Sequence, residues 1–238
     1  MVRETGSIGH VNRGKYKIVN KLLHKPRTVI FDMDGLILDT EVVYRTTWQQ
    51  AADEFGYDMS DEFYSCFVGR RTDECLATLI ETYGSDFPLS AFLARGFRLY
   101  QEHVKSYGIQ AKPGLHELLD LLDALRMPKA VATSTERAHA LACLGSLAGR
   151  FMTIVTGDEV THGKPAPDIF LLAAERLRLA PRQCLVLEDS GAGVRAARSA
   201  GMPVIMVPDL EPSSAEVAAQ TTCVCSSLHE VKELLMKL

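Results

Sequence analysis

Two carboxylates separated by one residue close the run Thr28-Val29-Ile30-Phe31-Asp32-Met33-Asp34-Gly35, where apolar, β-favouring side chains give way at once to charge. In an extended chain, residues i and i+2 share a side. Asp32 and Asp34 are therefore expected together at the carboxyl end of a strand, where open α/β sheets hold their ligands. Carboxylates that close repel one another unless a proton or a cation lies between them. Mg2+ is the natural occupant, because it takes oxygen ligands and keeps positions for water and phosphate. The octet also suits a plainer use, in which the two acids cap the turn after a core strand.

Three further segments put polar groups at the ends of apolar runs or in stiff loops. Ala132-Thr133-Ser134-Thr135 offers hydroxyls and backbone N–H groups where a helix beginning near Glu136 can bind an anion, or simply be capped. Gly163-Lys164-Pro165-Ala166-Pro167-Asp168 holds one lysine between restricted residues, suited to a fixed positive charge on phosphate or to a solvated surface position. Cys184-Leu185-Val186-Leu187 leads into Glu188-Asp189-Ser190-Gly191, a second acidic strand end, which suits a metal better than a cap. Gly191-x-Gly193-x-x-Ala196, with Asp209 near the end of the next strand, has the spacing of a dinucleotide fingerprint. Glu188 and Asp189 argue against it, since both would lie against the pyrophosphate and repel it. Nor is Lys164 part of a Walker A loop, because proline follows it rather than Ser or Thr.

The elements that must position these groups alternate. Short apolar runs at Thr28–Phe31, Lys129–Thr133, Met152–Thr156, Cys184–Leu187 and Val204–Val207 are separated mostly by helical patterns, the signature of a parallel sheet with crossover helices. Leu115, Leu118, Leu119, Leu122 and Leu125 form one helical stripe and are expected in the core, as are Ile169, Leu172 and Leu177. Between the first two strands, three stripes (Trp48, Ala52, Phe55; Leu76, Leu79, Ile80, Tyr83; Phe92, Leu93, Phe97, Tyr100, Val104) predict helices and no strand. A βαβ crossover needs only about a dozen residues, so this stretch reads as an inserted helical domain over the strand ends. Lys112-Pro113-Gly114 is the return joint. The expectation is an α/β protein: a Rossmann-like parallel sheet core at 27–40 and 112–238, a helical cap at 41–111 and a basic extension at 1–26.

With 47% hydrophobic and 24% charged residues in 238, the composition is globular. The absence of an apolar run near the ~18 residues of a spanning helix, and of a signal core, predicts a cytoplasmic protein with no membrane partner. Residues 1–27 carry seven Lys/Arg against one Glu, a net of +6 that leaves −10 on the rest of a chain totalling −4. Such a leader can serve as a nucleic-acid or membrane-surface arm. An acidic body that repels polyanions and a leader poor in aromatics favour no nucleic-acid partner. Six cysteines without a C-x-x-C pair suggest neither zinc nor a disulfide framework, and Cys223 and Cys225 are expected to pack. The oligomeric state is open, with a monomer favoured.

The segments Asp32-Met33-Asp34-Gly35-Leu36-Ile37-Leu38-Asp39-Thr40-Glu41, Thr133-Ser134, Gly163-Lys164-Pro165 and Glu188-Asp189 resemble, in order and spacing, the haloacid dehalogenase-like superfamily. The chain is similar to the branch with a helical cap inserted after the first motif, which holds sugar-phosphate and nucleotide phosphatases, β-phosphoglucomutase and pseudouridine-5'-phosphatase. The resemblance implies that Asp32 attacks phosphorus and forms an aspartyl-phosphate. Asp34 would then protonate the leaving alkoxide and deprotonate the attacking water. It implies Mg2+ held by the side chains of Asp32 and Asp189 and the backbone carbonyl of Asp34, with Glu188 adjacent or acting through water. Thr133, the Ser134 backbone and Lys164 would hold the phosphoryl oxygens. Tyr44 lies where β-phosphoglucomutase has a cap-side histidine that assists its acid/base aspartate, which makes Tyr44 a cap-side substrate candidate. The implied activity is hydrolysis of a small phosphorylated metabolite, a sugar phosphate or nucleotide-like monophosphate. A phosphomutase is the alternative within the same chemistry, and a binding or regulatory protein on the same fold is the alternative outside it.

Overall fold

The computed structural model describes residues 25–67, 72–209 and 213–238, so the basic leader up to residue 24 lies outside the described residues. At the centre is β1 (Thr28–Phe31), buried at all four positions. A strand with no exposed face must be covered on both sides, as in parallel sheets flanked by helices. β2 (Lys129–Ala132), β3 (Thr153–Val155), β4 (Cys184–Glu188), β5 (Val204–Met206) and β6 (Cys223–Val224) complete the sheet. The order is β3-β2-β1-β4-β5-β6 and every pairing is parallel. The strand order reverses beside β1, so the crevice that α/β sheets use for ligands opens at its carboxyl end. Five strands fall on the expected apolar runs. β6 was not expected as a strand, because two residues, one of them the exposed Val224, carry no readable alternation.

Helices α1 (Thr40–Glu54), α2 (Asp61–Ser65), α3 (Thr72–Tyr83) and α4 (Leu89–Tyr107) lie between β1 and β2, followed by α5 (Leu115–Ala124). The rest are α6 (Arg137–Leu144), α7 (Asp168–Arg176), α8 (Gly191–Ser199), α9 (Ala215–Gln220) and α10 (Leu228–Leu235). Alternation along β1 sends Val29 and Phe31 to one face, against leucines of α5 and α10, and Ile30 to the other, against α7 and α8. Each such side chain contributes about 1.5–3 kcal/mol by burial. The inserted helices have an apolar core of their own, including Ala52, Tyr64, Leu79, Phe87 and Phe92. Entry and exit of the insert run side by side: Leu38 and Ala111 form an antiparallel bridge, Asp39 N–H donates to Gln110 O at 2.9 Å and Lys112 N–H to Ile37 O at 3.0 Å.

One expected core position is corrected. Leu125 is 44% exposed because α5 ends at Ala124 and the chain turns left-handed at Arg126. Phe55 is the C-terminal cap of α1 and faces solvent, and Phe97 leaves its stripe to lie against His139 of α6.

Candidate active site

Asp32 is the first residue past β1. Its N–H donates to Leu187 O at 3.0 Å, which continues the ladder with β4 and holds the side chain at the sheet's carboxyl rim. Because Phe31 pairs with Leu187, Asp32 is level with Glu188, the last residue of β4. Lys164, from the loop before α7, joins them: its Nζ donates to Asp32 Oδ1 and, at 2.6 Å, to Glu188 Oε1, and all three side chains are buried. Glu188 Oε2 accepts the N–H and the O–H of Ser190, each at 2.9 Å. A Cβ on Gly193 would fall 1.7 Å from Glu188 Oε1, so this glycine makes room for a carboxylate. That explains the Gly-x-Gly spacing without a nucleotide.

One oxygen from each of Asp32, Glu188 and Asp189 lies within 4.8 Å of the others. Gly35, at φ +77°, closes over this group, and a Cβ there would stand 2.3 Å from Asp189 Oδ2. Burial, then the charges of Glu188 and Asp34 against the opposing pull of Lys164, pushes the Asp32 carboxyl up to about 8. Burial and the Glu188 charge likewise raise Asp189 well above the ordinary carboxylate range. Lys164 is raised too: burial opposes its charge, but Asp32 and Glu188 outweigh it and hold the ammonium protonated. Three carboxyl groups share one ammonium, so the cluster favours a proton or a cation between them, and oxygen-only donors suit a hard divalent cation.

Asp34 is treated differently. Its Oδ2 accepts the hydroxyls of Thr133, at 3.2 Å, and Thr135, at 2.8 Å, while Thr133 Oγ1 accepts the Thr135 N–H at 3.1 Å. Thr133 and the Ser134 backbone are the groups expected to hold phosphoryl oxygens, and contact with Asp34 is a separate matter. The Ser134 side chain is exposed, and Thr135 is the residue that reaches Asp34. The hydroxyl in Thr133-Ser134-Thr135 was visible, but its direction depends on the turn. Ser190 was missed in the same way. Tyr44, half-buried on α1, stacks on Tyr100 with ring centroids 4.2 Å apart. Burial first, and then the Asp34 charge, raise its phenol. Nearby Glu41 accepts the Tyr64 hydroxyl at 3.0 Å, and burial raises its carboxyl.

The haloacid dehalogenase-like hydrolase profile matches residues 29–207. A Drosophila melanogaster protein described as a probable pseudouridine-5'-phosphatase is 37% identical over 224 residues, covering 90% of this chain and 95% of its own. Fructose-1-phosphate phosphatase YqaB of Escherichia coli K12 is 37% identical over 183 residues, covering 75% and 95%. A provisionally assigned β-phosphoglucomutase structure from Thermotoga maritima superposes with a TM-score of 0.76 at 31% identity, covering 89% and 99%. The chain belongs to the haloacid dehalogenase-like hydrolase family and is an enzyme of its phosphoric monoester hydrolase class. Among the described residues, no helix is long and apolar enough to cross a membrane.

Proposed function

We propose that this protein is a Mg2+-dependent phosphatase that hydrolyses a small phosphorylated metabolite through an aspartyl-phosphate on Asp32. The observation that carries the reading is the different setting of two neighbouring carboxylates. Asp32 sits with Lys164, Glu188 and Asp189 in an acidic cluster, whereas Asp34 accepts the hydroxyls of Thr133 and Thr135. Pairs of carboxylates in such unlike surroundings take unlike roles.

In this reading Asp32 is the nucleophile and Asp34 the proton carrier, first to the leaving oxygen and then from the attacking water. Lys164, Thr133 and the Ser134 backbone hold the phosphoryl oxygens, whose charge is the main thing the site must stabilise. Asp32, Asp189 and the Asp34 carbonyl would hold Mg2+, with Glu188 outside them. The bound cation supplies charge neutralisation between the carboxylates and the incoming phosphate. Residues 41–111 act as a cap that excludes bulk water and, through Tyr44, meets the substrate.

The curated relatives quoted above are phosphatases of a nucleoside monophosphate and a sugar phosphate, which supports a polyhydroxylated monophosphate as substrate. The test is a panel of phosphate esters with Mg2+, read as inorganic phosphate release. Preferred turnover of one sugar or nucleoside monophosphate is expected, and no release from any ester would overturn the reading. The structural match to a β-phosphoglucomutase favours a mutase as the second reading. A mutase must keep its phosphoenzyme from water until the sugar hydroxyl arrives, and Tyr44 in place of a histidine weakens that coupling. Phosphate release with little conversion of β-glucose 1-phosphate to glucose 6-phosphate, even when primed with glucose 1,6-bisphosphate, is therefore expected. Isomerisation faster than release would reverse the assignment.

A further inference from the structure

Asp209, just beyond β5, takes no part in the mechanism above. Its side chain is only 8% exposed. Oδ1 accepts from Lys112 Nζ, and the same ammonium donates to Asp39 Oδ1 at 3.2 Å. Oδ2 is buried and has no hydrogen-bond partner, which is costly for a carboxylate oxygen unless something outside the protein supplies the donor. That oxygen points at Gly35: a Cβ built there would be 3.2 Å from Asp209 Oδ2 and 2.3 Å from Asp189 Oδ2. The two carboxylates thus converge over one glycine, at the edge of the acidic cluster. On its other side Asp209 is bound to a linker of the insert, since Asp39 and Lys112 are the residues through which the paired connections enter and leave.

We infer that Asp209 and Lys112 are positioning residues that tie the Asp189 side of the cation cluster to the two linkers of the helical insert. Asp209 holds the loop over Gly35 and adds an acceptor and a negative charge beside Asp189. Lys112 makes its placement depend on how the linkers stand. The inference rests on the cation-dependent reading above, and it adds a route by which the insert and the cation affect each other. Groups that orient ligands from outside the coordination sphere typically change metal affinity by about 10–100-fold when removed.

The experiment is a calorimetric titration of Mg2+ into the metal-stripped full chain without substrate, with the melting temperature measured alongside. Asp209→Asn is expected to raise the Mg2+ Kd by about tenfold or more, and Lys112→Arg, which keeps the ion pair, to leave it within about threefold. A lower melting temperature with an unchanged Kd in Asp209→Asn is the mark of a merely structural residue and would overturn the inference. Should Asp209→Asn not fold, Lys112→Gln asks the question from the linker. A Kd moved by more than about threefold in either direction upholds the coupling, and a smaller change rejects it. A wild-type chain that binds no Mg2+ would defeat the cation reading as well. One that binds it as tightly as a folded Asp209→Asn chain defeats this inference alone.

Discussion

The Thr135 hydroxyl donates to Asp34 Oδ2 at 2.8 Å, and Thr133 adds a second donor on the same oxygen at 3.2 Å. With both hydroxyls directed at Oδ2, a proton carried by Asp34 belongs on Oδ1. Thr135→Val removes the shorter bond and frees the carboxyl to rotate. The expected result is a kcat about tenfold lower with KM nearly unchanged, one decade of the roughly 10²–10⁴-fold that general acid–base catalysis supplies. Steady-state kinetics on the preferred ester decide it, and equal losses in the exposed Ser134→Ala variant would show that the effect is not specific to Asp34.

Asp32→Asn is expected to abolish turnover without unfolding the chain, since the amide is nearly isosteric but cannot attack phosphorus. Asp34→Asn keeps the backbone carbonyl and loses the proton carrier, so unactivated alkyl phosphates should slow far more than aryl phosphates with good leaving groups. Circular dichroism establishes the fold, and a leaving-group series separates the two roles. Wild-type rates on alkyl phosphates in Asp34→Asn would rule out its assignment.

Lys164→Met leaves Asp32 and Glu188 buried without their counter-charge. Breaking a buried pair from one side costs about 3–5 kcal/mol, because the remaining charge is uncompensated. A marked drop in melting temperature is expected without divalent cation, and Mg2+ should recover more of it in the variant than it adds to the wild type. Thermal melts with and without Mg2+ measure this. A variant as stable as wild type in chelator would contradict the charge balance drawn for the cluster.

Away from the site, hydrogen bonds from Arg176, working against burial, lower the Glu159 carboxyl from its ordinary 4.5 to about 2. A carboxyl depressed by folding stabilises the native state above its unfolded pKa. That contribution is lost as pH falls from 4.5 towards 2, because the unfolded chain takes up the proton first. Glu159→Gln should therefore be less stable than wild type near neutral pH and should lose less on acidification. Parallel denaturant curves across that window would show the two converging, and parallel losses would remove Glu159 as a cause.

Much of the fold was legible because its parallel strands are buried on both faces. Thr28–Phe31 and Cys184–Leu187 are continuous apolar runs that stop abruptly at acids, and their ends mark the site. The inserted helices were legible from stripes such as Leu76, Leu79, Ile80 and Tyr83. What periodicity could not carry was direction. Turn geometry decides that Thr135 rather than Ser134 meets Asp34, and the Gly191-x-Gly193 spacing could be argued away from a nucleotide by its neighbouring acids, but not assigned to the Glu188 carboxylate that fills the space a Gly193 side chain would need. Asp209 and Lys112 meet across 97 residues of chain, and no local pattern links them.

Among the described strands the central one comes first in the chain, and its partner on one side arrives about a hundred residues later, as the contact between Thr28 and Pro128 shows. At about 5–20 residues per second, a growing chain carries Val29-Ile30-Phe31 unpaired for about 5–20 seconds before β2 exists, and longer before β4 does. The inserted helices need only nearby contacts and can close their own core in that interval. During synthesis the part expected to meet the substrate is thus built before the part that acts on it. The apolar strand left unpaired meanwhile is the segment that a chaperone, or a neighbouring nascent chain, has time to find.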